Sequence, residues 1–469
     1  MSNAVCRIGP ASPPIRGILA PGHWRAGSPQ ARYRCRMTTL LIRNAQLGDD
    51  PSGAVGDLLL RDGAIAMRGP SLEFTPVDDE EHEELDATGL VALPGAIDAF
   101  APIGGSRTTR SSADDLGSGT IAAARGGVTT IISPIVPASG ETPLIAFRDA
   151  CGRASGNVFV DWGFVLGLGR PTPTTADEVR ALIGEPGLVG AFLDLDASDE
   201  SATAGPGALL RIASLAGLPI MVRAAGRLGA RAEQHRLRTV GALGALADIR
   251  AHVAPLVGAP ALGELADGLA SASTSLAHLC LAELPDGMQV APPLSSAEDK
   301  AALWQALADG TLEGVVSDHR PEPLSGSDGW IGLASIELMV PALLTHGVAT
   351  GLIELPTLCA IIAERPARRL GLWPRKGSLA VGSDADIVLV DPAATWTVEP
   401  AALEGRGKAP AWHGRELTGR VVHVYSRGQQ IVNDGFPLFR PGRGRPVTCS
   451  HAASTPERPA AAEQEPSAG

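Results

Sequence analysis

Apolar residues in this chain fall into short runs of five to eight, separated by longer stretches with helical spacing. "GVTTIIS" (127–133), "VFVDWGFV" (158–165), "LVGAFLDL" (188–195), "LPIMVRAA" (218–225), "ADIRAHVA" (247–254), "STSLAHLCL" (273–281) and "EGVVSD" (313–318) read as buried strands. With "LPGAID" (93–98) they make eight. Helical segments alternate with them. One is "SAEDKAALWQALADG", where Ser296 precedes the helix and Asp299 completes a capping pattern. Strand–helix alternation over about 280 residues predicts a parallel sheet, and eight repeats predict a closed (β/α)8 TIM-like barrel, an α/β fold. Outside this block, "TLLIRNAQL", "GDLLLRDGAIA", "KGSLAVGSDADIVLVDP" and "RVVHVYSRGQQIVNDG" read as further strands. They require a small β-sandwich built from both chain ends. The expected division is 37–92 and 376–437 for the sandwich and 93–375 for the barrel.

The flanks have a different texture. Residues 1–36 carry six arginines and no acidic residue, with no strand or helix period. They are expected to be a disordered extension, with Met37 a possible true start. From 438 a Pro/Ala/Gly/Glu-rich tail is expected to be disordered.

Composition narrows the function. Thirty-nine Lys and Arg against 51 Asp and Glu give a net charge of −12, which argues against a nucleic-acid surface. No run of eighteen apolar residues marks a membrane span. Six scattered cysteines form no CxxC pair, which favours a reduced, cytoplasmic setting. Ten histidines are few for a metalloenzyme of 469 residues.

Five segments in order carry a family resemblance: "LPGAID" (93–98), "SGTIAAARGGVTTII" (118–132), "APPLSSAEDKAALWQALADGTLEGVVSDHRPEP" (291–323), "RPARRLGL" (365–372) and "GSLAVGSDADIVLVDP" (377–392). Together they resemble the dihydroorotase family of the amidohydrolase superfamily. The resemblance implies zinc-assisted hydrolysis of a cyclic amide, in which imidazoles and a bridging lysine hold the metal and an aspartate moves the proton.

The residues at the corresponding positions depart from that pattern. The first strand of the family ends Asp-x-His-x-His; here Phe100 and Pro102 stand in the histidine positions. The substrate-carboxylate arginine is replaced by "IGG", with Arg107 displaced nearby. The bridging-lysine segment "GLVGAFLDLD" holds no lysine, only Asp194 and Asp196 as remote ligand candidates. Arg223 and Pro255 occupy two further metal-ligand positions, and a cation at the former would repel zinc. His252 and His278 lie near motif histidines without making a ligand set. Asp318 alone matches a catalytic position, with His319 beside it; a carboxylate there could simply hold loop amides.

The expectation is therefore a pseudoenzyme without zinc or substrate-binding residues. It is most similar to the noncatalytic dihydroorotase-like subunit of bacterial aspartate transcarbamoylase. Its expected partner is the transcarbamoylase catalytic chain in pyrimidine biosynthesis, with homo-oligomers inside that complex. One alternative is a divergent metal-dependent amidohydrolase with a reduced site around Asp318, using His252 or His278. Another is a binding protein that takes a small anion at Arg223.

Overall fold

The computed structural model describes residues 39–76, 82–104, 113–168, 174–195, 218–226, 229–247, 251–266, 270–321, 330–331, 333–438 and 442–449. Two groups of strands organise it. The first group is β1 (Thr39–Leu47), β2 (Val55–Arg61), β3 (Ala64–Gly69), β4 (His82–Asp86) and β5 (Val91–Pro94). It is completed by strands from the far end of the chain, given below.

The barrel strands are β6 (Ala96–Asp98), β7 (Val128–Ile135), β8 (Asp161–Gly167), β9 (Leu188–Asp194), β10 (Ile220–Arg223), β11 (Ala251–Leu256) and β12 (Ala270–Ser275). A two-residue strand β13 (Gln289–Val290) lies outside the barrel and pairs with β15 (Trp330–Ile331). Between them in sequence, β14 (Gly314–Val316) supplies the eighth barrel strand. The eight run parallel in the order β14-β12-β11-β10-β9-β8-β7-β6. Every position of β7, β8 and β11 is buried, as a sheet covered on both faces requires.

The ring closes at the seam between β6 and β14 through hydrogen bonds past the strand ends. Asp98 Oδ1 accepts from the Ser317 amide at 3.0 Å, and the Asp318 amide donates to the Phe100 carbonyl at 3.2 Å. Inside the ring, Ile97, Ile132, Val165, Val189, Met221, Ala254 and Val316 pack with Phe100 and Phe192. Outside it, a larger core joins the strands to the helices. The Gly126–Gly127 turn feeds β7 from helix Leu116–Arg125. A Cβ on Gly126 would lie 2.1 Å from the Ile336 carbonyl oxygen, and Gly127 takes a φ of +82°, so glycine is required twice in succession.

The second domain is one sheet of nine strands, with β16 (Ile387–Thr397), β17 (Glu416–Ser426), β18 (Gln429–Asn433) and β19 (Phe436–Pro437) added to the first five. β16 pairs with β5, so the two chain ends meet in the middle of the sheet. The sheet curls until Ala64 bridges Asp384, and Leu40, Ile42, Leu58, Ile65, Ile387 and Leu389 fill the inside.

Two sequence expectations are corrected here. "STSLAHLCL" is not one strand: β12 ends at Ser275, whose hydroxyl caps a short helix, Leu276–Cys280, by accepting from the His278 amide. The tail is not without structure from 438. Residues 442–449 return to the barrel floor, where Val447 exchanges backbone hydrogen bonds with Trp162 and Gly187 at 2.8 Å. Backbone pairing holds this segment where its composition promised no apolar core. Residues 1–36 lie outside the described residues. No helix among the described residues is long and apolar enough to cross a membrane.

Candidate active site at the barrel mouth

Ligand sites of parallel barrels form where the strands end, because loops from all eight strands converge there. At this end β14 delivers Asp318. Its carboxylate is fully buried, Oδ2 accepts from the Arg320 guanidinium at 2.8 Å, and Oδ1 has no partner among the described residues. The backbone of Asp318 is left-handed, with φ at +47°. The expected role of the carboxylate in holding loop amides is not what the structure shows: its partner is a guanidinium, and the loop is held by other groups. Arg320 also donates to the Ala291 carbonyl at 2.9 Å, tying "APPL" to Asp318.

His319 is buried beside it. Its Nε2 lies 3.1 Å from Asp114 Oδ2, and its Nδ1 accepts from the Ser335 amide at 3.2 Å. Asp114 is buried, which disfavours its charge. Its hydrogen bonds from His319, the Ser118 hydroxyl and the Arg406 amide outweigh that and hold its pKa down to about 2. His278 is also buried; Nδ1 faces the Ser275 hydroxyl at 2.6 Å and Nε2 the Pro292 carbonyl at 3.2 Å. Burial pushes its pKa down to about 4, so it is neutral near pH 7.

The positions that would carry metal are filled by other chemistry. Phe100 is completely buried, and its ring centroid lies 5.7 Å from that of Phe192, which comes from the segment expected to bear the bridging lysine. Arg223 is paired with Asp194, Nε to Oδ1 at 3.0 Å with a second guanidinium contact to Oδ2. The pair leaves Arg223 engaged, which removes the reading of that residue as an open anion receptor. Pro102 and Pro255 offer no donor atom. His252 turns to the opposite end: it bonds Ser271 and Ser273 at 2.8 and 3.1 Å and lines a small floor pocket with Arg369, Met221 and Val165. Burial first, and then Arg369, push its pKa well down. His252 and His278 are therefore not brought together with Asp318 as one ligand set. Arg107 and Asp196 lie outside the described residues.

Among the described residues, one group of three acidic side chains converges closely enough to hold a cation: Asp161, Asp384 and Asp386. An ammonium already occupies it. Lys376 Nζ lies 2.7 Å from Asp161, 3.1 Å from Asp384 and 2.7 Å from Asp386. No such group forms at the mouth among the described residues. Two phenyl rings, two prolines and a bonded guanidinium do not fit a zinc pair.

Sequence reading missed three supports of the mouth. Asp98 Oδ1 takes both the Phe100 and Ser317 amides, at 3.2 and 3.0 Å. Asp114 takes His319. Glu233, on helix Gly229–Ala247, accepts from the Val257 amide with both oxygens at 3.1 Å, just beyond β11. Only the doubled aspartate in "SADDLGSG" hinted at any of them, through the helix cap that Asp115 makes with Ser118.

Comparison with known proteins corrects the functional expectation. The Amidohydrolase family pattern matches residues 211–431. The chain is 29% identical over 461 residues to a D-hydantoinase of Geobacillus stearothermophilus, covering 87% of this chain and 96% of that protein. It is 26% identical over 460 residues to an L-hydantoinase of Paenarthrobacter aurescens, covering 88% and 98%. Its fold superposes on the crystal structure of a dihydropyrimidinase from Brevibacillus agri with a TM-score of 0.81 at 26% identity, over 88% of this chain and 99% of that one. These relatives overturn the reading as an inactive structural subunit of aspartate transcarbamoylase, since they are named hydantoinases and a dihydropyrimidinase and none of them is named for that complex. With the eight-stranded barrel, the two-ended sheet domain and these full-length likenesses in agreement, the chain belongs to the amidohydrolase superfamily.

Proposed function

We propose that this chain opens a cyclic amide, a ureide ring of the hydantoin or dihydropyrimidine kind, at a reduced site built on Asp318. The observation that carries the proposal is the Asp318 carboxylate itself, buried at the last barrel strand end with Oδ1 unpartnered and Oδ2 fixed by Arg320. A buried carboxylate with one free oxygen can take a proton and return it. In the proposed reaction, water adds to the ring carbonyl carbon while Asp318 Oδ1 removes its proton. The carbon–nitrogen bond then breaks, and the same proton passes to the ring nitrogen. Arg320 keeps the carboxylate oriented through both transfers. Because the residues at the mouth do not fit a zinc pair, the proposal uses no metal, and the reaction takes place in the cytoplasm.

Positioned acid–base groups contribute on the order of 10²–10⁴-fold, so a slow enzyme is expected. The test is ring opening of hydantoin and dihydrouracil by the purified full-length protein, with and without chelator. The expected result is turnover that survives the chelator and falls at least about 10²-fold in Asp318→Asn. No ring opening above the Asp318→Asn background overturns the proposal. So does activity that chelator abolishes and zinc restores.

A further inference from the structure

We infer that Asp114 and His319 form a positioning pair that sets Asp318, and that the pair couples this aspartate to the loop between β16 and β17. The inference rests on the role proposed for Asp318. It starts from the imidazole. Two backbone amides, Ser335 at 3.2 Å and Ile336 at 3.4 Å, point at Nδ1. Nδ1 must therefore be the acceptor, and the ring proton of the neutral form sits on Nε2, where it donates to Asp114 Oδ2 at 3.1 Å. The tautomer is fixed from both sides, and the ring cannot turn without losing all three contacts.

Asp114 is itself held. Oδ1 accepts from Ser118 Oγ at 2.7 Å and the Arg406 amide at 2.8 Å, and Oδ2 faces the Gly407 amide at 3.4 Å. One buried carboxylate thus joins the cap region of helix Leu116–Arg125, the sheet-domain loop and the residue after Asp318. The strand end it fixes is unfavourable by itself, since Asp318 is a non-glycine residue at φ +47°. The neighbouring bonds complete the clamp: the His319 amide on Ser317 Oγ at 3.1 Å and the Arg320 amide on the Leu333 carbonyl at 2.7 Å. A proton-transfer group displaced by about 1 Å can lose about 10²-fold in rate, so a clamp on backbone geometry belongs to the reaction rather than to folding alone.

The experiment compares Asp114→Asn, His319→Leu and His319→Gln in the full-length chain. Asparagine keeps only one acceptor oxygen where four donors converge. Glutamine keeps an acceptor and a donor in the places of Nδ1 and Nε2; leucine keeps neither. The expected result is a kcat about 10²-fold lower in Asp114→Asn and His319→Leu, with KM within about threefold, and His319→Gln within about tenfold of the unsubstituted chain. Deuterium uptake over residues 317–320 is measured alongside and should rise in the first two and not in the third. Unchanged uptake and kcat in Asp114→Asn, a loss of melting temperature with kcat intact, or a glutamine variant as impaired as leucine overturns the inference. If Asp114→Asn does not fold, the two His319 variants carry the comparison. If the unsubstituted chain opens no ring, the proposed function fails by itself. The uptake measurement then decides the positioning pair: raised uptake supports it and unchanged uptake overturns it.

Discussion

Phe100 has no exposed surface, and its ring meets Phe192 across the barrel interior. Placing histidines at 100 and 102 therefore does not rebuild a ligand set. It removes a packed phenyl, buries an imidazole without partners, and leaves Arg223 and Pro255 as they are. The Phe100→His, Pro102→His double variant should retain no stoichiometric zinc by elemental analysis and show no gain in ring opening. It should also lose on the order of 2–4 kcal/mol of stability in denaturant titration. A zinc-loaded or faster variant would contradict this. At this scale the sequence was partly legible. The identities at strand ends could be read directly, because period-two alternation places them at the mouth. Their partners could not. Asp194 and Arg223 meet across neighbouring strands, and Asp114 and His319 are 205 positions apart, so only the fold brings them together. The missing ligands describe only the metal; the unpartnered Asp318 oxygen, on which the proposed proton transfer rests, is visible only in the fold.

Helix Gly229–Ala247 presents Glu233 to the turn after β11, and this element carries a pH dependence. Burial, only partly offset by the Val257 and Gly258 amides, raises the Glu233 pKa from 4.5 to about 8. The folded state therefore holds a proton that the unfolded chain has released, across the window between those values. Stability is greatest below the lower value and falls as pH rises towards the higher one. The isosteric Glu233→Gln keeps an acceptor for Val257 and removes the titration. Melting curves from pH 5 to 8.5 should show the unsubstituted chain losing stability with pH more steeply than Glu233→Gln, by a few kcal/mol at the alkaline end. Parallel slopes would show that Glu233 does not titrate there. Elements with local signals were the legible ones. Helix Ala297–Asp309 has the full reciprocal cap between Ser296 and Asp299. The stretch after Thr274 was misread because its apolar run continues past a serine, and only the Ser275 hydroxyl turning onto the His278 amide converts strand to helix.

Across the whole molecule, barrel, sheet domain and C-terminal segment meet at Asp161, the first residue of β8. It takes Lys376 Nζ at 2.7 Å, the Arg427 guanidinium and the Arg445 amide at 2.8 Å. Burial works against the Lys376 charge, but Asp386, Asp161 and Asp384 outweigh it and raise its pKa. Replacing it with methionine strands three carboxylates against one remaining arginine. Lys376→Met should lose about 3–5 kcal/mol in denaturant unfolding, and a loss below about 1 kcal/mol would show the cluster to be dispensable. Barrel and two-ended sheet were legible at this scale because alternation and strand counting suffice for them; the latch was not, since its members come from four separate segments. The latch also has a consequence for how the chain is made. Asp161 and Arg445 are 284 positions apart, so β8 emerges from the ribosome long before its floor partners do. Until residues 442–449 follow, Trp162 shows an open strand edge to the solvent, and the sheet domain lacks β16 to β19. The nascent barrel is thus most exposed to aggregation during the last part of its synthesis, and translation speed over the final third should govern yield more than speed over the first.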